Sequence, residues 1–261
     1  MFLFLLKKTF FDSWDNMFRI VLVNIGFIAV AAIPIFLPPL LPDMLSIAVL
    51  SVGILLCFVY LAAGAQCLKS VSNYAGFGFA DFFACFKEKR TWVSGLVMGG
   101  IALLTALVAS VVIPFYSQIN SPVGIILAVV VFWILVVCVT SFQFFFSFRS
   151  RMDNAVSKTV KKCFIVFFDN TGFCIMCLVY AVILTILSVL LVFLLPGPAG
   201  IILFLDEALR LRLLKYDWLE ENPDAQLSTK RRRIPWDAIL IDERENTGSR
   251  SFKNFIFPWK D

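Results

Sequence analysis

The chain has 261 residues, of which 60% are hydrophobic and 16% are charged, and its mean hydropathy is +0.89. Soluble domains average about 45–50% apolar and about 25% charged residues, and a soluble fold cannot expose the apolar excess seen here. The composition therefore excludes a water-soluble protein and predicts a membrane protein. The positive-inside bias of membrane proteins explains the net charge of +5 without nucleic acid as a partner.

Six segments are candidates for membrane-spanning helices, judged against about 20 apolar residues at 1.5 Å of rise each. In chain order they are residues 20–36, 45–68, 92–116, 123–148, 172–195 and a weaker sixth segment. The sixth is apolar only over residues 199–205 and then continues through charged residues to Lys215. The prediction is an all-α membrane protein with six transmembrane helices arranged as three hairpins.

The basic residues separate to one side of this predicted topology. The connections at residues 37–44, 117–122 and 196–198 contain no Lys or Arg, and Asp43 is their only charged residue. The positive-inside rule then places both termini in the cytoplasm of an inner-membrane protein. A five-span topology would instead put the basic tail outside.

An aromatic segment that also carries Lys, Asp or Asn precedes the first, third and fifth predicted spans, as expected of a helix in the cytoplasmic interface. Two of these segments match in register. The matching residues are Lys7, Lys8, Phe10, Asp15 and Asn16 in one, and Lys161, Lys162, Phe164, Asp169 and Asn170 in the other. We interpret this as an internal repeat at residues 1–70, 71–152 and 153–217, although the middle copy lacks the paired residues. Coincidence is the alternative.

The chain becomes polar after the membrane domain of residues 1–217, so residues 218–261 are predicted to form a cytoplasmic tail. The tail is too short for a core of its own and is expected to lie on the membrane domain or on a protein partner. A basic run is expected to contact anionic lipid headgroups, at about 1 kcal/mol per charge. It consists of Lys230, Arg231, Arg232 and Arg233. A nucleic-acid role would need a recognition fold or an arrangement of stacking aromatics, and neither is evident in the sequence.

Asp206 and Glu207 are the strongest candidates for a site. If the sixth helix begins at Pro198, Asp206 lies eight residues into it, about 12 Å deep. A carboxylate at that depth is costly unless it is paired or hydrated. Arg210 follows at the helical spacing of an ion pair. The pattern fits a proton or substrate site, or else a self-neutralised helix packed inside the bundle, and the second interpretation is favoured.

Other polar or small residues within the spans are predicted to serve helix packing. Asn24 is polar inside an apolar run, where it is expected to form an interhelical hydrogen bond or to line a pathway. The glycines at 95, 99 and 100 have the spacing that lets two helices approach closely. Gly95, Gly99 and Gly100 are therefore assigned to an intramolecular packing face.

The sequence contains few of the residues and motifs that carry catalysis. It has seven Cys and no His, so it lacks the commonest general base and metal ligand. Phosphate-binding loops, zinc-protease motifs, nucleophile elbows and dinucleotide-binding glycines are also missing. Cys174 and Cys177 form a CxxC pair but are expected to be packing residues, with redox or metal chemistry as the alternative. No catalytic residue, metal or cofactor is predicted.

The chain resembles the YesL-like family of bacterial membrane proteins over about residues 1–217. The resemblance is carried by Asn24, by the entry segment Phe10, Phe11, Asp12, Ser13 and Trp14, and by the closing segment from Leu209 to Tyr216. It contains no chemical motif and implies an accessory role beside carbohydrate uptake systems.

Two functions follow from these patterns. The leading one is a non-catalytic accessory or scaffold protein in a larger membrane assembly. The alternative is a small secondary transporter or channel whose path is lined by Asp206, Glu207 and polar span residues. A membrane enzyme would have only the CxxC pair and these carboxylates to support it.

Overall fold

The computed structural model describes residues 1–119, 121–222, 234–248 and 250, and their regular secondary structure is all helical. Within these described residues, five helical segments are long and apolar enough to cross a membrane. They are Met17–Leu40, Asp43–Ser72, Lys89–Ser117, Pro122–Arg151 and Thr171–Leu190. The protein is therefore a multi-pass helical membrane protein.

Residues 1–107 form two candidate spans and the start of a third. Helix α1 (Phe2–Asp15) leads through Asn16 into α2 (Met17–Phe36), and α3 (Asp43–Ser72) returns after a proline-rich turn. Each proline lacks the amide that an interior helical position donates, which favours a turn where several occur together. The Asp43 carboxylate is favourable at the positive N-terminal end of α3. A short α4 (Phe79–Cys85) then precedes α5 (Lys89–Leu107).

The third span continues from α5 through a π-helical turn (Val108–Val112) into α6 (Ile113–Ser117). Ser121 caps α7 (Pro122–Phe142) by accepting a hydrogen bond from the Val123 amide at 3.3 Å. The fourth span ends with α8 (Phe145–Arg151).

The second half contains a helix pair with the same lengths as α1 and α2. Helix α9 (Val156–Asp169) has 14 residues and α10 (Thr171–Leu190) has 20, and the same lengths occur in α1 and α2. Asn170 separates α9 from α10 as Asn16 separates α1 from α2. The three aromatic segments predicted from the sequence are all helical: they form α1, α4 and α9, which precede the first, third and fifth spans. The threefold repeat stays a prediction.

Helix α11 (Gly197–Glu221) lies at the centre of the structure, in contact with α1, α2, α3, α8 and α10. Leu203, Phe204 and Leu209 on this helix are completely buried. The two hydrophobic clusters of the core both include α11 residues. Helix α11 is not among the five candidate spans, because it contains too many charged residues.

Two short helices of the tail, α12 (Trp236–Ile239) and α13 (Ile241–Thr247), complete the described chain. Leu240 between them is completely buried in the cluster that also contains Phe204. This part of the tail therefore packs on the membrane domain. The basic run from Lys230 to Arg233 lies outside the described residues.

Candidate functional site

Charged and polar side chains meet around the middle of α11 in what we call the polar cluster. Four other elements contribute to it: α1, the end of α3, the end of α8 and the tail helix α13. Its members are Lys8, Thr9, Asp12, Ser72, Asn73, Tyr74, Arg151, Asp206, Glu207, Arg210 and Glu243.

Asp206 is held by the guanidinium of Arg151. The Arg151 Nε donates to Asp206 Oδ1 at 2.9 Å, and Nη2 lies 2.5 Å from Oδ2, which makes a bidentate pair. Arg151 also donates to the Ser72 hydroxyl and, at 3.2 Å, to Asn73 Oδ1. Because Asp206 is 1% exposed, this pair is shielded from water. The predicted pairing of Asp206 with Arg210 is wrong.

Arg210 is directed toward the tail instead. Its Nε donates to Glu243 Oε1 at 2.8 Å, and its Nη1 donates to the backbone carbonyl of Ser72 at 2.8 Å. The Tyr74 hydroxyl donates to the other oxygen of Glu243 at 2.7 Å. Glu243 is buried, so these contacts fix α13 against the end of α3.

Tyr74 occupies an uncommon backbone conformation at this junction. Its φ is +61°, in the left-handed region that favours glycine. The ammonium of Lys8 lies 3.7 Å from the centre of the Tyr74 ring. Burial is the main cause that raises the pKa of the Tyr74 phenol, so the hydroxyl stays protonated and remains a donor to Glu243.

Glu207 faces α1, on the other side of the polar cluster. The Thr9 hydroxyl donates to Glu207 Oε2, and Lys8 pairs with Asp12 at 2.6 Å. Lys8 and Glu207 are both completely buried. Glu207 forms no ion pair with the described residues, and its Oε1 has no hydrogen-bond partner among them. It is thus the one carboxylate of the polar cluster without its own cation.

Asn24, which was predicted to form an interhelical hydrogen bond or to line a pathway with Asp206 and Glu207, does not join the polar cluster. Its amide nitrogen donates to the carbonyls of Leu194 (3.0 Å) and Pro196 (2.9 Å), and its oxygen accepts from the Ala199 amide at 2.9 Å. Asn24 therefore satisfies the backbone of the turn between α10 and α11. A side chain at Gly197, which has φ +61°, would collide with Asn24.

Two of the three predicted packing glycines lie between α5 and α3. A Cβ on Gly95 would overlap the backbone of Val59, and one on Gly99 would lie 2.9 Å from Leu55 Cδ2. Gly100 differs, because nothing lies within 4 Å of the corresponding position. Its assignment to the packing face is wrong, since it projects away from α3.

Both cysteines of the CxxC pair, Cys174 and Cys177, are completely buried. All seven cysteines of the chain are free thiols. Burial raises the pKa of Cys163, another buried thiol, to about 12. Among the described residues no group of three or more His, Cys, Asp or Glu could hold a metal ion. The sulfurs of Cys67 and Cys85 lie 3.6 Å apart.

Sequence reasoning missed the partners that the polar cluster draws from distant parts of the chain. Arg151 was counted only among the basic residues of the cytoplasmic side, and Lys8 was assigned to an interfacial segment. Glu243 was one acidic residue among several in the tail. The sequence does set Arg151 apart in one respect, because it is the basic residue at which the fourth candidate span ends. No spacing rule relates it to Asp206, 55 positions away.

Comparison with protein-family models, with curated proteins and with solved structures finds no significant match to this chain. The resemblance to YesL-like proteins stays a prediction.

Proposed function

We propose that this chain is a non-catalytic accessory or scaffold subunit of a larger assembly in the bacterial inner membrane. The observation that supports this is the engagement of Asp206 and Arg210 by Arg151 and Glu243. The first pair links α8 to α11 and the second links α11 to the tail. Both arginines also donate to Ser72 at the end of α3. Charged side chains that are paired with each other stabilise the folded protein and the surface that it presents to partners. They are not free to bind a transported solute.

For the topology, we propose six membrane segments with both termini in the cytoplasm. Support comes from the antiparallel pairing of α10 and α11. Lys215 pairs with Asp169 at 2.8 Å near one end, and the Gly197 amide donates to Ser188 Oγ at 3.0 Å near the other. A hairpin of this kind returns the chain to the side from which α10 enters. The basic tail then follows the positive-inside rule.

The test of the accessory role is purification of the tagged full chain from inner membranes in a mild detergent. We expect a complex well above the 29.4 kDa of the chain, with a second protein in fixed stoichiometry after size-exclusion chromatography. The resemblance to YesL-like proteins makes a carbohydrate uptake system the first assembly to examine. Recovery of the chain alone at every detergent tested would contradict the proposal.

The transporter or channel alternative is favoured by one observation, the buried Glu207 carboxylate without an ion pair. Ionisable groups inside a membrane protein often mark proton or ion pathways. Purified protein in liposomes should then move protons or a solute, and Glu207→Gln should abolish the flux while the protein stays folded. Under the accessory proposal, wild-type liposomes show no flux above empty vesicles.

A further inference from the structure

A cavity of about 290 Å³ lies between α8, α9 and α11. Its volume is close to the lower end of ligand pockets, roughly 300–1,000 Å³. The apolar part of its lining includes Phe148, Ile165, Val166 and Leu213. Such a lining suits a hydrocarbon chain.

One cation, Lys162, lines the same cavity. Its ammonium lies 3.0 Å from the thioether sulfur of Met152, which is a weak acceptor. The nearby carboxylate of Asp169 is already engaged by Lys215 and by the Tyr216 hydroxyl, each at 2.8 Å. Lys162 therefore has no carboxylate partner in the described part of the chain.

The surroundings of the cavity match the boundary between lipid chains and headgroups. Phe148 is near the end of the fourth candidate span, and Lys158 and Lys161 are exposed on α9 beside Lys162. On the same helix Phe168 is 68% exposed and Ile165 is 52% exposed. Basic and apolar side chains on one helix are typical of interfacial helices that bind anionic lipid.

We propose that this cavity binds one anionic phospholipid, with the phosphate on Lys162 and part of an acyl chain against the apolar lining. Two other cavities, one between α2, α3 and α4 and one between α1, α2, α10 and α11, have no charged residue in their lining. The combination of cation and apolar wall is what singles out the α8–α9–α11 cavity. We place this lipid in the cytoplasmic leaflet, and that placement rests on the proposed topology.

The test is native mass spectrometry of the delipidated full chain in detergent, titrated with phosphatidylglycerol, phosphatidylcholine of the same acyl chains, and glycerol phosphate. We expect phosphatidylglycerol to bind most tightly and glycerol phosphate not to bind. Lys162→Gln should weaken phosphatidylglycerol binding about fivefold, as expected for one lysine near an anionic headgroup. It should weaken phosphatidylcholine binding less, because the choline cation of that lipid offsets the charge of its phosphate.

Lys161→Gln is the matched control, because it removes the same charge from the neighbouring position outside the cavity lining. It should change the affinity by less than about twofold. Ile165→Trp should weaken the binding of both lipids, because the larger side chain fills the mouth of the cavity. Ile165 is half-exposed, so the protein core does not have to repack around the tryptophan.

Equal losses in Lys161→Gln and Lys162→Gln, equal binding of the two lipids, or binding of glycerol phosphate would overturn the proposal. Unchanged binding in Ile165→Trp would do the same. These measurements in detergent do not depend on which way the chain crosses the membrane. Failure here and failure of the proposed topology can therefore be told apart.

Discussion

At the scale of single residues, the polar side chain of Asn24 stabilises the turn between α10 and α11 by bonding to its backbone, which an apolar side chain could not do. Its amide makes three hydrogen bonds to the backbone between Leu194 and Ala199. Backbone groups in an apolar environment must be satisfied within the protein. Asn24 is completely buried, so water does not replace it. We assign it a structural role at the start of α11.

Replacing Asn24 with alanine should lower the free energy of unfolding by roughly 2 kcal/mol or more, because buried backbone groups lose their partners. Reversible unfolding in mixed detergent micelles measures the change. Ser51→Ala is the control, since Ser51 bonds to the carbonyl of Ile47 in its own helix, and a change within about 0.5 kcal/mol is expected. Equal effects of the two substitutions would contradict the role given to Asn24.

Sequence alone singled out two of the carboxylates in the polar cluster but not their partners. Asp206 and Glu207 stand out because charges in an apolar segment are costly. The local spacing rule then gave Arg210 as partner, whereas tertiary packing brings Arg151 to Asp206 and Thr9 to Glu207. Contacts between residues this far apart in the chain depend on how the helices pack, which no local pattern encodes.

At the scale of elements, the contact between α3 and α5 depends on two glycines. Gly95 and Gly99 face α3 one helical turn apart, and both are buried. Small residues at this spacing let backbones approach closely and gain dispersion contacts, which drive helix association in lipid. The same helix carries Gly100, which makes no such contact.

Gly95→Leu should therefore destabilise the protein by roughly 1–3 kcal/mol, the usual cost of overpacking. Gly100→Leu adds the same side chain to the same helix, and it should be neutral or slightly stabilising, because leucine favours helix more than glycine does. Thermal unfolding in detergent compares the two variants. Equal destabilisation by both would show that the α3–α5 contact is not the one described.

The five long apolar helices could be predicted at nearly their observed positions, because length and apolar composition are properties of contiguous sequence. Helices α1, α4 and α9 were also expected from their aromatic segments. The interior face of α1 was not expected, since Lys8 and Asp12 are buried against α11 rather than facing headgroups. The central position of α11 likewise follows from packing and not from its own pattern.

At the scale of the whole molecule, the antiparallel pairing of α10 with α11 determines which side the tail occupies. The tail helix α13 is joined through Glu243 to Arg210. It therefore lies on the side where α3 and α8 end. Under the proposed topology that side is the cytoplasm.

Cysteine labelling in intact cells, in a background without native cysteines, tests this arrangement. Gln118→Cys lies in the turn between the third and fourth spans and should react with a membrane-impermeant maleimide. Glu245→Cys in α13 should react only after the cells are permeabilised. Both native side chains are exposed in the structure, which makes the comparison fair. Labelling of Glu245→Cys in intact cells would refute the proposed six segments.

The structural role of the polar cluster is tested most directly by the unfolding free energy of Asp206→Asn. Breaking a buried ion pair leaves one charge unpaired and costs about 3–5 kcal/mol, so we expect a loss of that size. The double variant Asp206→Arg with Arg151→Asp should recover part of it. Asp237→Asn, which removes an exposed partner of Arg244, should change little. A folded Asp206→Asn protein as stable as wild type would contradict the account.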